Sequence, residues 1–201
     1  MPVGVDKVHI CNLAISLVGS TGFIEALTES SKAAGLCKKW YDTARLATLE
    51  AFNWSFAKKS QVLALHAADA PTSRWAFRYQ LPADCVAARL LENPAGPDAD
   101  AVPYEVENAG DGTLSLVTDL EDATLLYTCD LKTEALFSTY FVLMLATQLG
   151  VFIAAPLTGK FGIMDRLQKS FALLQQSAPA ADAATRIARA EPDAPAIAAR
   201  A

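Results

Sequence analysis

Along residues 31–57, small and apolar side chains recur at Ala33, Cys37, Trp40, Ala44, Ala47 and Ala51, in alternating steps of four and three. That spacing puts them on one face of a long helix. Leu36 and Tyr41 widen the stripe, while Lys38, Lys39, Asp42, Arg45 and Glu50 fall mostly off it. The helix is expected to begin at Ser30 or Ser31 and to reach about Phe52, where it meets an aromatic knot of Phe52, Trp54 and Phe56. Large rings of this kind need a second element to bury them.

A shorter helical pattern precedes it. Val8, Cys11, Ala14 or Ile15 and Val18 recur at helical spacing, with Asp6 placed to cap the first turn and Gly19 to end the helix. Asp6, His9, Asn12 and Ser16 interrupt the apolar run, which reads as an amphipathic first helix rather than a signal peptide. In the polar connection that follows, Phe23 and Ile24 form an apolar pair expected to tuck into the core.

After Lys58 and Lys59 the period shortens. Strands are expected over 61–65, around Trp75, Phe77 and Tyr79, over 85–91, and over 124–131. Residues 104–107 and 113–118 flank Ala109, Gly110, Asp111 and Gly112, a hairpin signature. Helical spacing returns at Thr133, read as an N-cap, for a long apolar helix that Pro156 and Gly159 end. A last helix starts near Lys160 and carries Phe161, Met164, Leu167, Phe171 and Leu174 on one face. From Ala178 the chain is rich in Ala and Pro.

The order predicts an α+β fold. Residues 1–60 and 132–177 form a helical bundle from the two ends of the chain, residues 61–131 an inserted small antiparallel β domain, and residues 178–201 an extended tail. At 201 residues the chain can bury roughly 70% of its unfolded surface, so it needs no staples.

Charge and composition narrow the function. The net charge of −5 and a pI near 5.0 oppose a protein that grips nucleic acid through phosphates. Cys11, Cys37, Cys85 and Cys129 include no CxxC pair, and with only His9 and His66 beside them they read as buried thiols, not a metal site. Residues 135–159 hold no charge and are long enough to cross a bilayer. Ser138, Thr139, Tyr140, Thr147 and Gln148 interrupt the run and no basic cluster flanks it, so a buried bundle helix is the better reading, with a membrane protein as its rival.

No catalytic signature is present: no GxSxG, HExxH, GxGxxG or Walker loop. Thr158-Gly159-Lys160 reads as a helix-to-helix turn. Asp98, Asp100, Glu105, Glu107, Asp111, Glu121 and Asp122 crowd the β segment and read as a solvated acidic surface, although a pair of them is the requirement for glycan hydrolysis. His9 reads as a helix-surface or core-edge residue and His66 as a loop residue. No cofactor is expected. The aromatics Trp54, Phe56, Trp75, Phe77 and Tyr79 have too few basic neighbours for a base-stacking platform and read as core.

Several of these residues carry a resemblance. Asn12, Ala14 and Gly19 in the first helix, Cys37, Tyr41, Asp42 and Arg45 in the second, then Trp54, Phe56 and Ala57, then Tyr79, Leu81, Pro82, Asp84 and Cys85, and finally the Pro-Leu-Thr-Gly exit of the long apolar helix, appear in this order. The series resembles the tail tubular protein A, or head-to-tail adaptor, family of short-tailed bacteriophages over about residues 6–175. More distantly it is similar to connector proteins of long-tailed phages.

The resemblance implies a virion protein assembled in the host cytoplasm, and not an enzyme. Its partners would be eleven further copies in a twelve-fold ring, a portal protein and a tail nozzle protein, with genomic double-stranded DNA passing through the lumen and no membrane involved. Trp40, Tyr41, Trp54 and Phe56 are then expected as structural core. Arg45, Arg186, Ile187 and Arg189 are expected as contacts to a neighbouring subunit or to the portal.

Overall fold

The computed structural model describes residues 4–66, 74–96 and 99–183. Helix α1 spans Lys7–Leu17 and α2 spans Lys32–Ala51. A short 3-10 turn, Ser55–Ala57, leads into six strands: β1 Lys58–Val62, β2 Phe77–Gln80, β3 Cys85–Leu91, β4 Glu105–Asn108, β5 Leu114–Thr118 and β6 Thr124–Cys129. Helices α3, Thr139–Thr158, and α4, Phe161–Ala183, follow. The fold is α+β, with helices from both ends of the chain around an inserted antiparallel β unit.

The helix starts follow their caps. Asp6 accepts from the His9 backbone N–H at 2.7 Å, and Ser31 accepts from that of Ala34 at 3.2 Å. Gly159 closes α3 in the left-handed region, φ 70°, a conformation that favours glycine. Two expectations are corrected here. Thr133 opens only a 3-10 turn, Glu134–Leu136, and Ser138 is the cap of α3, accepting from Phe141 N–H at 3.2 Å. Pro156 lies inside α3. It sits in the last turn on an exposed face and forgoes the intrahelical bond its missing N–H would make, and the helix continues to Thr158 before Gly159 ends it.

Helix α3 is the axis of the bundle. α1, α2 and α4 all pack on it, while α1 and α2 meet more narrowly, where Lys7 lies over the Tyr41 ring. This explains an uncharged helix with apolar residues nearly all round. Eleven of its residues are buried, and the most apolar window of the helix is 61% buried within the chain. Gly150 marks a close crossing: a Cβ there would lie 3.1 Å from Leu167 Cδ1, 3.6 Å from Val18 Cγ1 and 3.8 Å from the Ala14 carbonyl. Ile24 is buried, and its backbone is clamped by the Asn12 amide through bonds of 2.8 and 2.9 Å. Phe23 does not join it and stays exposed, correcting the expectation for that pair.

The strands form two three-stranded antiparallel sheets, ordered β1-β6-β3 and β2-β5-β4. They share one core of Leu63, Tyr79, Leu91, Leu116, Leu125 and Tyr127. β1 begins three residues earlier than the periodicity indicates, and the chain then changes sheet. Leu63 N–H bonds the Ala123 carbonyl in the first sheet, and Leu65 bridges Tyr79 in the second. The loose alternation over 61–65 is the trace of that crossing. At the other end, residues 178–183 continue α4 as helix, with Ala178 and Asp182 buried, so the extended tail does not begin at Ala178.

Replacing Gly150 by Val is expected to destabilise the fold by about 2 kcal/mol, because the added methyls meet Leu167 and Val18 in a packed core. Urea unfolding monitored by circular dichroism reads this directly; an unchanged midpoint would show that the crossing has slack.

Candidate functional site

The most elaborated place in the fold is the C-terminal end of α2. A helix leaves its last four carbonyls without intrahelical donors. Here no glycine turn follows: Phe52 is extended, φ −151° and ψ 155°. The donors come from three other elements instead. Trp54 Nε1 donates to the Thr48 carbonyl at 2.9 Å. Arg89 Nη2, from β3, donates to the carbonyls of Leu49, Glu50 and Phe52 at 3.1, 2.9 and 3.0 Å. Gln175 Nε2, from α4, donates to Ala51 at 3.3 Å. Arg89 is oriented by a 2.9 Å bond from Nε to Thr128 Oγ1 on β6.

The aromatic knot sits against this end. Trp54 is buried and meets Phe141 edge-to-face at 5.1 Å; half-buried Phe56 meets Phe141 at 5.1 Å and Phe137 at 6.0 Å. Both therefore belong to the bundle core. The α4 end closes over them: Asp182 accepts from the backbone N–H and the hydroxyl of Ser55 at 2.9 and 2.7 Å. Trp40, half-buried, stacks on Phe152 of α3 at 5.2 Å. Tyr41 is buried and donates its hydroxyl to Glu134 at 3.2 Å. Burial and the Glu134 carboxylate push its phenol well above the ordinary range.

Arg45 is buried, at 2% exposure, and holds the second joint between bundle and β domain. Its guanidinium donates to Asp130 just past β6, to the Leu131 carbonyl at 3.0 Å and to Asp42 at 3.4 Å. These three bonds turn the guanidinium inward, toward Asp42 and the end of β6. Arg186, Ile187 and Arg189 lie outside the described residues. Burial favours the neutral acid at Asp130, but the hydrogen bond and charge of Arg45, with Lys132 beside them, hold its carboxyl below the usual range.

Several of the other candidate chemical groups have structural duties, while Asp100, Glu121 and Asp122 are exposed. Glu105 and Glu107 pair with Arg74 and Arg78. Asp111 accepts from the Thr113 backbone and hydroxyl at 2.9 and 2.6 Å, and its carboxyl is held below the usual range by those bonds. Asp98 lies outside the described residues. His66 is not a free loop residue: its backbone N–H bonds the Arg78 carbonyl at 2.9 Å and its Nε2 lies 3.3 Å from Asp111. His9 is exposed on α1. Cys11 and Cys37 are fully buried and pair between α1 and α2; their mutual hydrogen bond and burial push the Cys11 thiol up. Burial lifts Cys85 to about 11. Among the described residues no three His, Cys, Asp or Glu side chains gather in a metal-binding group. In the Thr-Gly-Lys turn, Thr158 Oγ1 donates to the Ala154 carbonyl at 2.7 Å and accepts from Lys160 N–H at 3.2 Å, a helix-to-helix joint.

Arg89, Asp130 and Asp182 were not singled out by the sequence pattern. Arg89 sits in a strand of otherwise apolar and small residues, CVAARLL, and a lone arginine there is the available signal for a buried partner. Asp182 lies in an Ala-rich stretch whose composition masks it. Compared with known proteins, the chain matches no family model and no characterised protein.

Asp130→Asn is expected to cost about 2–3 kcal/mol at neutral pH, because it leaves the buried Arg45 charge with only the exposed Asp42 carboxylate, 3.4 Å away. Asp130 has a depressed folded-state value, so its contribution is complete above the ordinary 3.8 and is lost as the pH falls below it. The gap between wild type and variant should therefore shrink in acid. Equal gaps at neutral pH and near pH 3 in denaturant titrations would contradict the ion-pair account.

Proposed function

We propose that this chain is a structural virion protein: the subunit of a head-to-tail adaptor ring that joins a portal to a tail nozzle and surrounds the path of the genomic DNA. The observation that carries the reading is the ordered set of residues resembling the adaptor family, taken with what those residues do in the fold. Asn12 clamps Ile24. Tyr41 and Arg45 reach Glu134 and Asp130. Trp54 caps α2. Tyr79 donates to the Leu120 carbonyl at 2.9 Å, and Asp84 accepts from Tyr127 at 2.9 Å and from Lys59 at 2.6 Å. These members of the resembling set thus sit at joints of the architecture, while Gly19 and Asp42 are exposed.

Physical features agree with an adaptor. A cyclic ring is built from heterologous contacts that close on themselves, which favours a subunit whose two parts keep a constant relative pose. Arg45 and Arg89 fasten the β unit to α2 at two separate points. A net charge of −5 opposes adhesion to phosphate and suits a wall past which DNA slides. Of the carboxylates that a hydrolase would draw on, Glu105, Glu107 and Asp111 are committed to ion pairs and a turn.

Electron microscopy of the purified protein, alone and with a portal preparation, tests the proposal. The expected images are closed rings with a central channel, twelve-fold if the resemblance holds in detail. A monomer under both conditions would overturn the reading.

A further inference from the structure

Charge is divided unevenly between the two parts of the chain. Residues 61–131 contain three Lys or Arg against twelve Asp or Glu, a net of −9, while the remainder carries fourteen against ten, a net of +4. The three arginines of the β segment are already used. Arg74 and Arg78 pair with Glu105 and Glu107, and Arg89 is spent on the carbonyls of α2. The excess acidity is therefore not neutralised by cations of that segment.

The uncompensated carboxylates gather at one end. Glu92 N–H bonds the Thr124 carbonyl at 2.9 Å, and Glu121 and Asp122 form the turn just before that strand. The Asp100 carbonyl accepts from Asn93 at 2.8 Å, next to Glu92. Glu92, Asp100, Glu121 and Asp122 are all exposed and lie at the end of the first sheet opposite Asp130 and the Arg45 joint. Val62, 64% exposed, pairs with Thr124 at this same end and adds an apolar contact surface.

The opposite pole is the end of the bundle where α1 and α3 finish and α4 begins. Arg166 reaches the Leu17 carbonyl at 3.2 Å, and Trp40, under the Lys39 ammonium, stacks on Phe152. Lys32, Lys38, Lys39, Lys160 and Arg166 are exposed on the α2 and α4 segments there, with Lys169 about two turns into α4, against Glu25, Glu29 and Asp165. The Glu29 carboxylate is itself held by the backbone N–H of Ala26 at 2.8 Å. Phe161, 71% exposed, stands among these cations.

We infer that the subunit contact of the ring joins these poles: the acidic end of the β domain of one copy docks on the basic, Phe161-bearing end of the bundle of the next. The inference rests on the ring reading and assigns its contact. The two surfaces differ and are complementary in charge, so each copy offers one of each, the requirement for a heterologous contact that repeats around a closed ring. Long-range attraction between them speeds encounter and fixes orientation, and opposed like charges disfavour the wrong pairings.

The test is the mass of the full-length protein by light scattering across ionic strength, for three proteins. Wild type is expected to assemble at about 50 mM salt and to weaken toward about 500 mM, where screening shortens the reach of these charges. Glu121→Lys with Asp100→Lys and Asp122→Asn should weaken assembly about tenfold or more. Asparagine is chosen at 122 because that residue has φ 52°, which Asn tolerates. Adding Lys160→Glu and Lys169→Glu to that variant should restore assembly, since both poles are then reversed. Assembly that ignores both salt and the acidic-end substitutions overturns this contact while leaving the ring reading intact. A wild-type monomer under every condition removes the ring reading itself.

Discussion

The fold depends on how α2 ends. Helices commonly stop at a glycine whose left-handed turn satisfies their last carbonyls locally. Helix α2 instead runs into extended Phe52 and leaves its carbonyls to side chains from elsewhere: the indole of Trp54, the guanidinium of Arg89 and the amide of Gln175. Each donor belongs to a different part of the chain, from the knot, the sheet and the last helix. One local need of the backbone thus ties three separate elements to one point. Arg45, two turns earlier on the same helix, repeats the device with Asp130 and Leu131.

This arrangement has a mechanical consequence. A β unit inserted between helices would ordinarily pivot on its two connections. Here the entry strand β1 and the exit strand β6 are paired with each other, and the face of the sheet bearing Arg89 and Thr128 is fastened to α2. Leu131 packs against the cores of both parts. The charge poles, the acidic end of the sheet and the basic end of the bundle, are therefore held at a constant distance and angle. A repeating contact in a ring needs that constancy, because small angular errors accumulate around the circle.

Much of this was legible along the chain, and the reasons are physical. The 3.6 period of α2, the uncharged run of α3, and the Asp6 and Ser31 caps identify their helices locally. The hairpin was visible from Gly110 and Gly112, both at positive φ. What escaped were features set by distant partners. Thr133 is a sound cap by type, but the chain makes a 3-10 turn first because Glu134 reaches Tyr41. Pro156 reads as a stop, yet α3 runs two residues past it and closes at Gly159. Arg45 looks like a surface cation on its helix; only the fold brings Asp130 to it from 85 residues away. Arg89, the centre of the joint, carries no motif, because a side chain that caps a remote helix leaves no spacing to read.

The claim that α2's end is the common joint is tested most directly by Arg89→Lys, followed by amide hydrogen exchange. Lysine keeps the charge but cannot span three carbonyls and Thr128 with one planar fork. The account predicts a joint loss of protection in the last turn of α2, in β3 and β6, and at the Gln175–Asp182 end of α4, with the α1–α3 crossing at Gly150 unaffected. Loss confined to β3 would contradict it, and would make Arg89 a local support of its own strand.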